Sequence, residues 1–360
     1  GDKVMKIRIK SDFENFSSFE NNYIEIDNLL VWATRNDCSD LFIKVGERPY
    51  VNRYGRIIPL NTQPITQIIW DSWFNENVSS EANAIYVRNK MYDTSYVVQG
   101  NRYRLNFSYS ENCNTLTARM INPIPPKFSE YGGKIDFPEG AKQCLKNAMS
   151  NKRGGGLILF AAPTGSGKST TMACCINSWG NDNDCLRDSN FITLEDPIEY
   201  TYNSNSSFRI VQKELDKDFL SYDLGIKSSL REHPTHILVG ETRDKDTIKA
   251  LIEASRTGHI TISTFHTRDI ASTVTRLIDN FSDSLADGVD LISNIALIVC
   301  QRLSPKPDNS GYDLYVEYCS FNLEFKRILI DCLKTGESME MAVNNYIDEN
   351  IGNELICGRC

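Results

Sequence analysis

The chain has 360 residues, 41% hydrophobic and 24% charged, enough for about two domains of ordinary globular composition. A net charge of -8 at pH 7 and a pI near 5.2 speak against a general nucleic-acid binder, which carries an excess of Lys and Arg. No apolar run reaches the roughly 18 residues of a membrane span, nothing at the start resembles a signal peptide, and eleven scattered cysteines fit a reduced, cytosolic protein.

In chain order, the basic "KVMKIRIK" reads as a solvated edge strand or tail. "IEIDNLLVWATRN" has apolar residues at helical spacing, and "SDLFIKVGERPYVNRYGRIIPL" reads as strand, turn, strand. "TSYVVQGNRYRLNFSYS" and "TLTARMI" alternate like strands of a half-exposed sheet. Residues 1–121 are therefore expected to form a small α+β domain. The proline-rich "NPIPPKFSEYGG" breaks both periodicities, so 122–135 is expected to be a linker. From 136 to 360 the pattern changes to short, continuous apolar runs: "GLILFAA", "FITLED", "HILVGE" and "HITISTFH". Buried parallel strands joined by crossover helices read this way, which predicts an α/β, doubly wound domain. The terminal "CGRC" (Cys357, Cys360) is a lone C-x-x-C at the end of the chain and reads as a tail.

"FAAPTGSGKST" lacks only the first glycine of the phosphate-loop pattern G-x-x-x-x-G-K-[ST], with Ala162 in its place. A predicted strand precedes it and a predicted helix, "KSTTMACCINSW", follows, the context that separates a real loop from a chance match. Pro163, Thr164, Gly165, Ser166, Gly167, Lys168, Ser169 and Thr170 are the candidate nucleotide-binding residues. The glycines let amide groups turn inward toward phosphate, Lys168 can reach the β- and γ-phosphates, and the Ser169 hydroxyl can bind Mg²⁺. Ala162 only has to end the strand, which alanine does.

Downstream, Glu195 and Asp196 end the apolar strand of "ITLEDPIEY", where a carboxylate can orient water or hold a metal's hydration shell; a helix N-cap ahead of Pro197 is the competing structural explanation. Glu241 ends a second such strand in "THILVGETRD", at the position from which hydrolases hold Mg²⁺ or polarise water. His259 and His266 lie seven residues apart at the two ends of "HITISTF" and are candidates to sense phosphate. Their spacing offers no compact metal-ligand set.

With these four segments in order, the chain resembles the secretion-type traffic ATPases of type II and type IV systems, in their pilus-retraction and Dot/Icm or conjugative-plasmid (type IVB) branch. "APTGSGKST" is similar to the family's Walker A, "ITLEDPIEY" to its Asp box, "LREHPTHILVGETRD" to its Walker B and "TGHITISTFHT" to its His box. The resemblance implies a RecA-like P-loop domain preceded by a PAS-like N-terminal domain, ATP and Mg²⁺ as cofactors, and hydrolysis involving Glu195, Glu241, His259 and His266. Ser169 and Glu241 are the implied metal-side residues, and one of Glu195 and Glu241 activates water while the other supports the metal. The family's N-domain arginines approach the γ-phosphate at a cleft between the domains; the matching positions are Arg102, Arg104 and Arg119.

The resemblance further implies a homo-hexamer, cytoplasmic and peripheral to the inner membrane, docked on secretion or pilus platform proteins without binding nucleic acid. Some positions depart from the family pattern. Phe42 stands in a usual His position, Asn112 where a further arginine is expected, and "FKRILIDCLKTGE" in place of the retraction motors' "AIRxxIRE" helix. The last difference favours a type IVB secretion or conjugation motor over a pilus-retraction motor. A RecA-like nucleic-acid translocase and a nucleotide-binding adaptor without turnover are the other readings.

Overall fold

The computed structural model describes residues 25–36, 38–53, 56–121, 125–128, 137–151, 154–163, 165–181, 185–205, 208–305 and 312–359. The basic start, Thr164 and Cys360 lie outside these, as does most of the stretch expected to be a linker. The chain divides into two units, Gly1–Pro123 and Ile124–Cys360.

In the first unit, helix α1 (Ile26–Arg35) leads into β1 (Asp40–Lys44), β2 (Tyr50–Arg53) and β3 (Arg56–Pro59). Helices α2 (Gln67–Asn77) and α3 (Ser80–Asn89) follow, capped by the hydroxyls of Thr66 and Ser79, and then β4 (Met91–Val98), β5 (Asn101–Ser110) and β6 (Cys113–Ile121). The strands form one antiparallel sheet in the order β3-β2-β1-β6-β5-β4. The two-residue alternation decides which face is covered. Tyr103, Leu105 and Phe107 of β5, with Leu116 and Ala118 of β6, are buried in one core with Leu29 and Leu30 of α1 and Trp70 and Phe74 of α2. The other face carries Arg102, Arg104 and Arg119, the last two directly paired across β5 and β6. Asn112, expected as an arginine position, instead forms the β5–β6 hairpin turn with Glu111, at φ of 62° and 52°. Asparagine tolerates that left-handed backbone better than arginine does.

The second unit begins with α4 (Glu139–Ser150), β7 (Gly156–Ala161), α5 (Lys168–Asn181), β8 (Ser189–Glu195) and β9 (Phe208–Glu214). It continues through α6 (Tyr222–Ser229), β10 (His236–Val239), α7 (Lys245–Arg256), β11 (Ile260–Phe265), α8 (Ile270–Phe281) and α9 (Leu285–Asn294). It ends with β12 (Ile295–Pro305), β13 (Tyr312–Ser320), α10 (Leu323–Thr335), α11 (Met339–Asn350) and β14 (Cys357–Arg359). The sheet order is β14-β13-β12-β7-β11-β10-β8-β9, and the strands from β12 to β9 are all parallel.

The apolar runs are continuous because both faces of this sheet are covered. Leu157 and Leu159 of β7 pack with α7 and α8, while Ile158 and Phe160 pack with α4 and α5. Parallel pairing also brings the C-terminal ends of β7, β11, β10 and β8 to one edge, which is what positions the site.

Two expectations change. The terminal Cys357 is not in a loose tail: Cys357–Arg359 is an edge strand, antiparallel to β13, because its residues complete the backbone pairing of that strand. Within the stretch expected as a linker, Pro125 and Phe128 pack on α5. The Phe128 amide donates to Ser178 Oγ at 3.0 Å, Asn177 Nδ2 donates to the Pro125 carbonyl at 2.6 Å, and the Phe128 ring meets Trp179.

Leu159, fully buried at the centre of β7, tests how tightly this scaffold is packed. Leu159→Ala should lower the unfolding free energy by about 2–5 kcal/mol, seen as a lower thermal midpoint. An unchanged midpoint would contradict the packing described.

Candidate functional site

The loop after β7 is shaped by backbone and buried polar groups together. Ala162, fully buried, donates its amide to the Phe265 carbonyl of β11 at 3.0 Å, so it extends the strand pairing and needs no glycine. Gly165 and Gly167 adopt φ of 78° and 80°, the left-handed region in which a side chain is strained. Between them Ser166 is buried, and its carbonyl accepts a 2.5 Å hydrogen bond from Gln301 Nε2 on β12. Gln301 Oε1 in turn accepts from the Thr171 hydroxyl of α5 at 2.8 Å. This amide, 2% exposed, ties the loop to the sheet on one side and to the first turn of α5 on the other.

Lys168 opens α5 and is itself buried, with Nζ donating to the carbonyls of Ala162 (2.6 Å) and Pro163 (3.2 Å). Burial lowers its pKa, against the opposing charges of Glu241 and Glu199. Ser169, half-buried, and Thr170 share the first turn, with the Thr170 hydroxyl 3.1 Å from the Tyr200 hydroxyl.

The two acids sit on neighbouring strand ends in opposite environments. Glu195 is the last residue of β8, and no helix follows it, which removes the N-cap explanation. Burial of its carboxyl raises its pKa to about 7, although Thr193 Oγ1 (2.6 Å) and Gln212 Nε2 (3.1 Å) both donate to Oε1. Glu241 lies just past β10, in a loop tied down by Thr242 Oγ1 to Ser263 Oγ (2.6 Å) and Thr264 Oγ1 to the Gly240 carbonyl (2.6 Å). Burial alone would raise its pKa, but the Arg243 hydrogen bond and charge, then the charges of His266 and Lys168, hold it below the usual carboxylate value. The contacts are Arg243 at 2.6 Å and His266 Nε2 at 3.0 Å.

His266 and His259 separate. His266 follows β11 at the site edge, and its carbonyl accepts from Arg276 of α8 at 2.8 Å. His259 precedes β11, about 20 Å away along the strand, with Nδ1 near the Ala254 carbonyl and the Thr257 hydroxyl, both at 3.1 Å. It is not brought to Glu241. In the first unit Arg119 pairs with Asp40 at 3.0 Å, and Arg104 lies 4.0 Å from Asp93. Arg102 is on the same strand face as Arg104.

Gln301, Gln212 and Arg276 were not singled out by sequence reasoning. Gln301 left a signal: a single amide after the apolar run "IALIVC" has to find buried partners. Among the described residues no group of three or more His, Cys, Asp or Glu side chains is arranged to hold a metal.

Residues 22–327 match the family described as type II/IV secretion system protein. The type IV pilus ATPase PilU of Pseudomonas aeruginosa is 28% identical over 321 residues, 88% of this chain and 79% of that protein. PilT of the same organism is 30% identical over 260 residues, 72% and 71% of the two chains. The ATPase DotB of Legionella pneumophila superposes with a TM-score of 0.76 at 27% identity, over 92% of this chain and 90% of that one. The pilus retraction motor PilT with bound ADP superposes with the same TM-score and identity, over 90% of each chain.

The raised pKa of Glu195 has a consequence for stability. The folded chain holds this proton up to about pH 7 and the unfolded chain releases it near 4.5, so the folded state binds more protons in between. The stabilisation from Glu195 is therefore present at low pH and lost as pH rises through that window. Between about pH 5 and about pH 8, wild type should lose stability relative to Glu195→Gln in chemical denaturation. Parallel stability curves would contradict the buried carboxyl.

Proposed function

Because the chain belongs to the type II/IV secretion system protein family, we propose that it is an Mg²⁺-dependent ATPase, a cytoplasmic motor that powers a type IVB secretion or conjugation machine. The observation that carries this is Lys168, buried in a glycine-shaped loop at one strand end, with Glu241 and His266 paired at the ends of the adjoining strands. We read the second unit as a RecA-like P-loop domain and the first as a PAS-like one. A homo-hexameric ring peripheral to the inner membrane, acting on platform proteins there without binding nucleic acid, fits this reading. Among the described residues no helix is long and apolar enough to cross a membrane.

The residues fit Mg-ATP. Lys168 directs its ammonium hydrogens to two carbonyls of its own loop, and a phosphate oxygen is a stronger acceptor than either. Pro163 to Thr170 would hold the phosphates, and Ser169 and Glu241 would support the cation. Bound Mg-ATP supplies the phosphoanhydride and a cation that offsets its charge. Glu195, with a pKa near neutrality, is matched to taking a proton from water. Glu241 is held ionised by Arg243 and His266 and is matched to the cation instead. This gives Glu195 the role of general base. His266, bonded to Glu241, is placed to follow the loss of phosphate charge. His259 is outside this group and is assigned no part in it. Arg102, Arg104 and Arg119 form a row from which guanidinium charge can be presented to phosphate, with Arg119 oriented by Asp40.

A pilus-retraction motor is the second reading, favoured by the likeness to PilU and PilT. The secretion reading rests on α10, whose "FKRILIDCLKTGE" departs from the retraction motors' helix pattern.

Phosphate release from Mg-ATP by the purified protein tests the proposal. Wild type should turn over, and Lys168→Ala should lose at least about 100-fold of that rate. Wild-type activity in Lys168→Ala would remove the site from the chemistry, and tight ATP binding without phosphate release would favour the adaptor reading. Gln301→Leu, which removes the side-chain donor to the Ser166 carbonyl and leaves the Thr171 hydroxyl its bond to the Gly167 carbonyl, should raise KM for ATP about tenfold while the thermal midpoint moves little. An unchanged KM would leave Gln301 a purely structural residue.

A further inference from the structure

Cys319 of β13 and Cys357 of β14 are direct cross-strand partners, and both are fully buried. The neighbouring Ser320 amide donates to the Ile356 carbonyl at 2.7 Å. That makes 320/356 the hydrogen-bonded site and leaves 319/357 at the non-hydrogen-bonded one, where opposed side chains come closest. The separation there is in the range a cross-strand disulfide can close. A third thiol, Cys144 of α4, lies near both, but its Sγ is directed to backbone, 3.6 Å and 3.4 Å from the carbonyls of Glu354 and Leu355.

We propose that Cys319 and Cys357 are a reversible thiol–disulfide couple whose oxidation pins β14 to the sheet. The two sulfurs are unequal partners. The hydrogen bond from Cys319 lowers the pKa of Cys357, and the nearby charge of Arg359 adds to this, while the same hydrogen bond and burial raise that of Cys319. Cys357 is therefore the attacking sulfur. It lies in a three-residue strand at the edge of the sheet, the kind of element that opens locally and admits a small oxidant. With hydrogen peroxide, the Cys357 thiolate attacks one oxygen, the O–O bond breaks, and the departing hydroxide takes up a proton as water. Cys319 sulfur then attacks the resulting sulfenic acid, the S–O bond breaks, and the Cys319 proton leaves with the hydroxyl as a second water. Two electrons pass from the thiol pair to the peroxide, and a dithiol reductant reverses the change.

The couple is connected to the nucleotide site. Arg359 of β14 donates from Nε to Glu317 Oε1 and from a terminal nitrogen to Asp348 Oδ1, both at 2.6 Å. Glu317 Oε2 accepts the Ile270 amide at the start of α8, just past His266. Arg359 and Glu317 also line a cavity of about 720 Å³ that reaches Pro163 and Gln301. Fixing β14 therefore fixes one wall of the space beside the phosphate loop.

The test uses the wild-type chain. After brief peroxide treatment, remaining thiols are alkylated under denaturing conditions and the protein is digested with trypsin without reduction. Cleavage after Arg359 puts Cys357 and Cys360 on different peptides, so the possible links are distinguished. The expected product is a 319–357 linked peptide pair, lost on reduction and absent from Cys319→Ser. Alkylation of both cysteines, or a link from Cys357 to Cys360 or Cys144 in its place, would overturn the proposal. Hydrogen exchange of the amides at 357–359 should slow at least about tenfold in the oxidised protein. Unchanged exchange would show that the link does not pin the strand.

Discussion

A buried ammonium group dictates the arrangement of the second unit. Removing Lys168 from water costs several kcal/mol unless acceptors and opposite charge surround it. Two loop carbonyls supply the acceptors, and those carbonyls can face the amine only because Gly165 and Gly167 allow the loop to turn back on itself. Gln301 holds the loop in that turn from the adjoining strand, using both ends of one amide. The residual charge is offset at longer range by Glu241. Each of these groups alone would be an expensive burial; together they are a site prepared to exchange weak acceptors for a strong one.

Parallel pairing explains why the acids are within reach. β8, β10, β11 and β7 are neighbours running in one direction, so the residues that follow them meet at a single edge. Environment then divides the carboxylates. Among the described residues, the side chains that donate to Glu195 are the neutral Thr193 and Gln212, so burial prevails and its pKa rises. Glu241 has a guanidinium and an imidazole in direct contact, and their attraction outweighs burial. Two identical side chains on adjacent strand ends are thereby held in different states, the division on which the proposed roles in proton transfer and cation support rest.

Much of this was legible in the sequence, for identifiable reasons. Continuous apolar runs marked the central parallel strands because burial on both faces erases alternation, and the glycine-shaped turn between a strand and a helix was expected from "PTGSGKS". The edge strands were less visible. β14 has three residues, too few for any periodicity, and it exists only because β13 offers it a pairing edge. Gln301 shows a second limit, since an amide within a strand does not reveal which distant carbonyl it will meet. His259 shows a third: two histidines flanking one strand look alike in sequence, while strand direction puts only His266 at the edge shared with Glu241.

The division of labour between the two acids is the central claim, and the pH dependence of ATP turnover addresses it most directly. With Mg-ATP well below saturation, kcat/KM should rise with pH along a limb whose apparent pKa is about 7 and then level off, because Glu195 must lose its proton to act as a base. In Glu195→Gln that limb should vanish along with most of the rate. A wild-type profile flat through neutrality, or a Glu195→Gln variant that keeps both the rate and the limb, would contradict it.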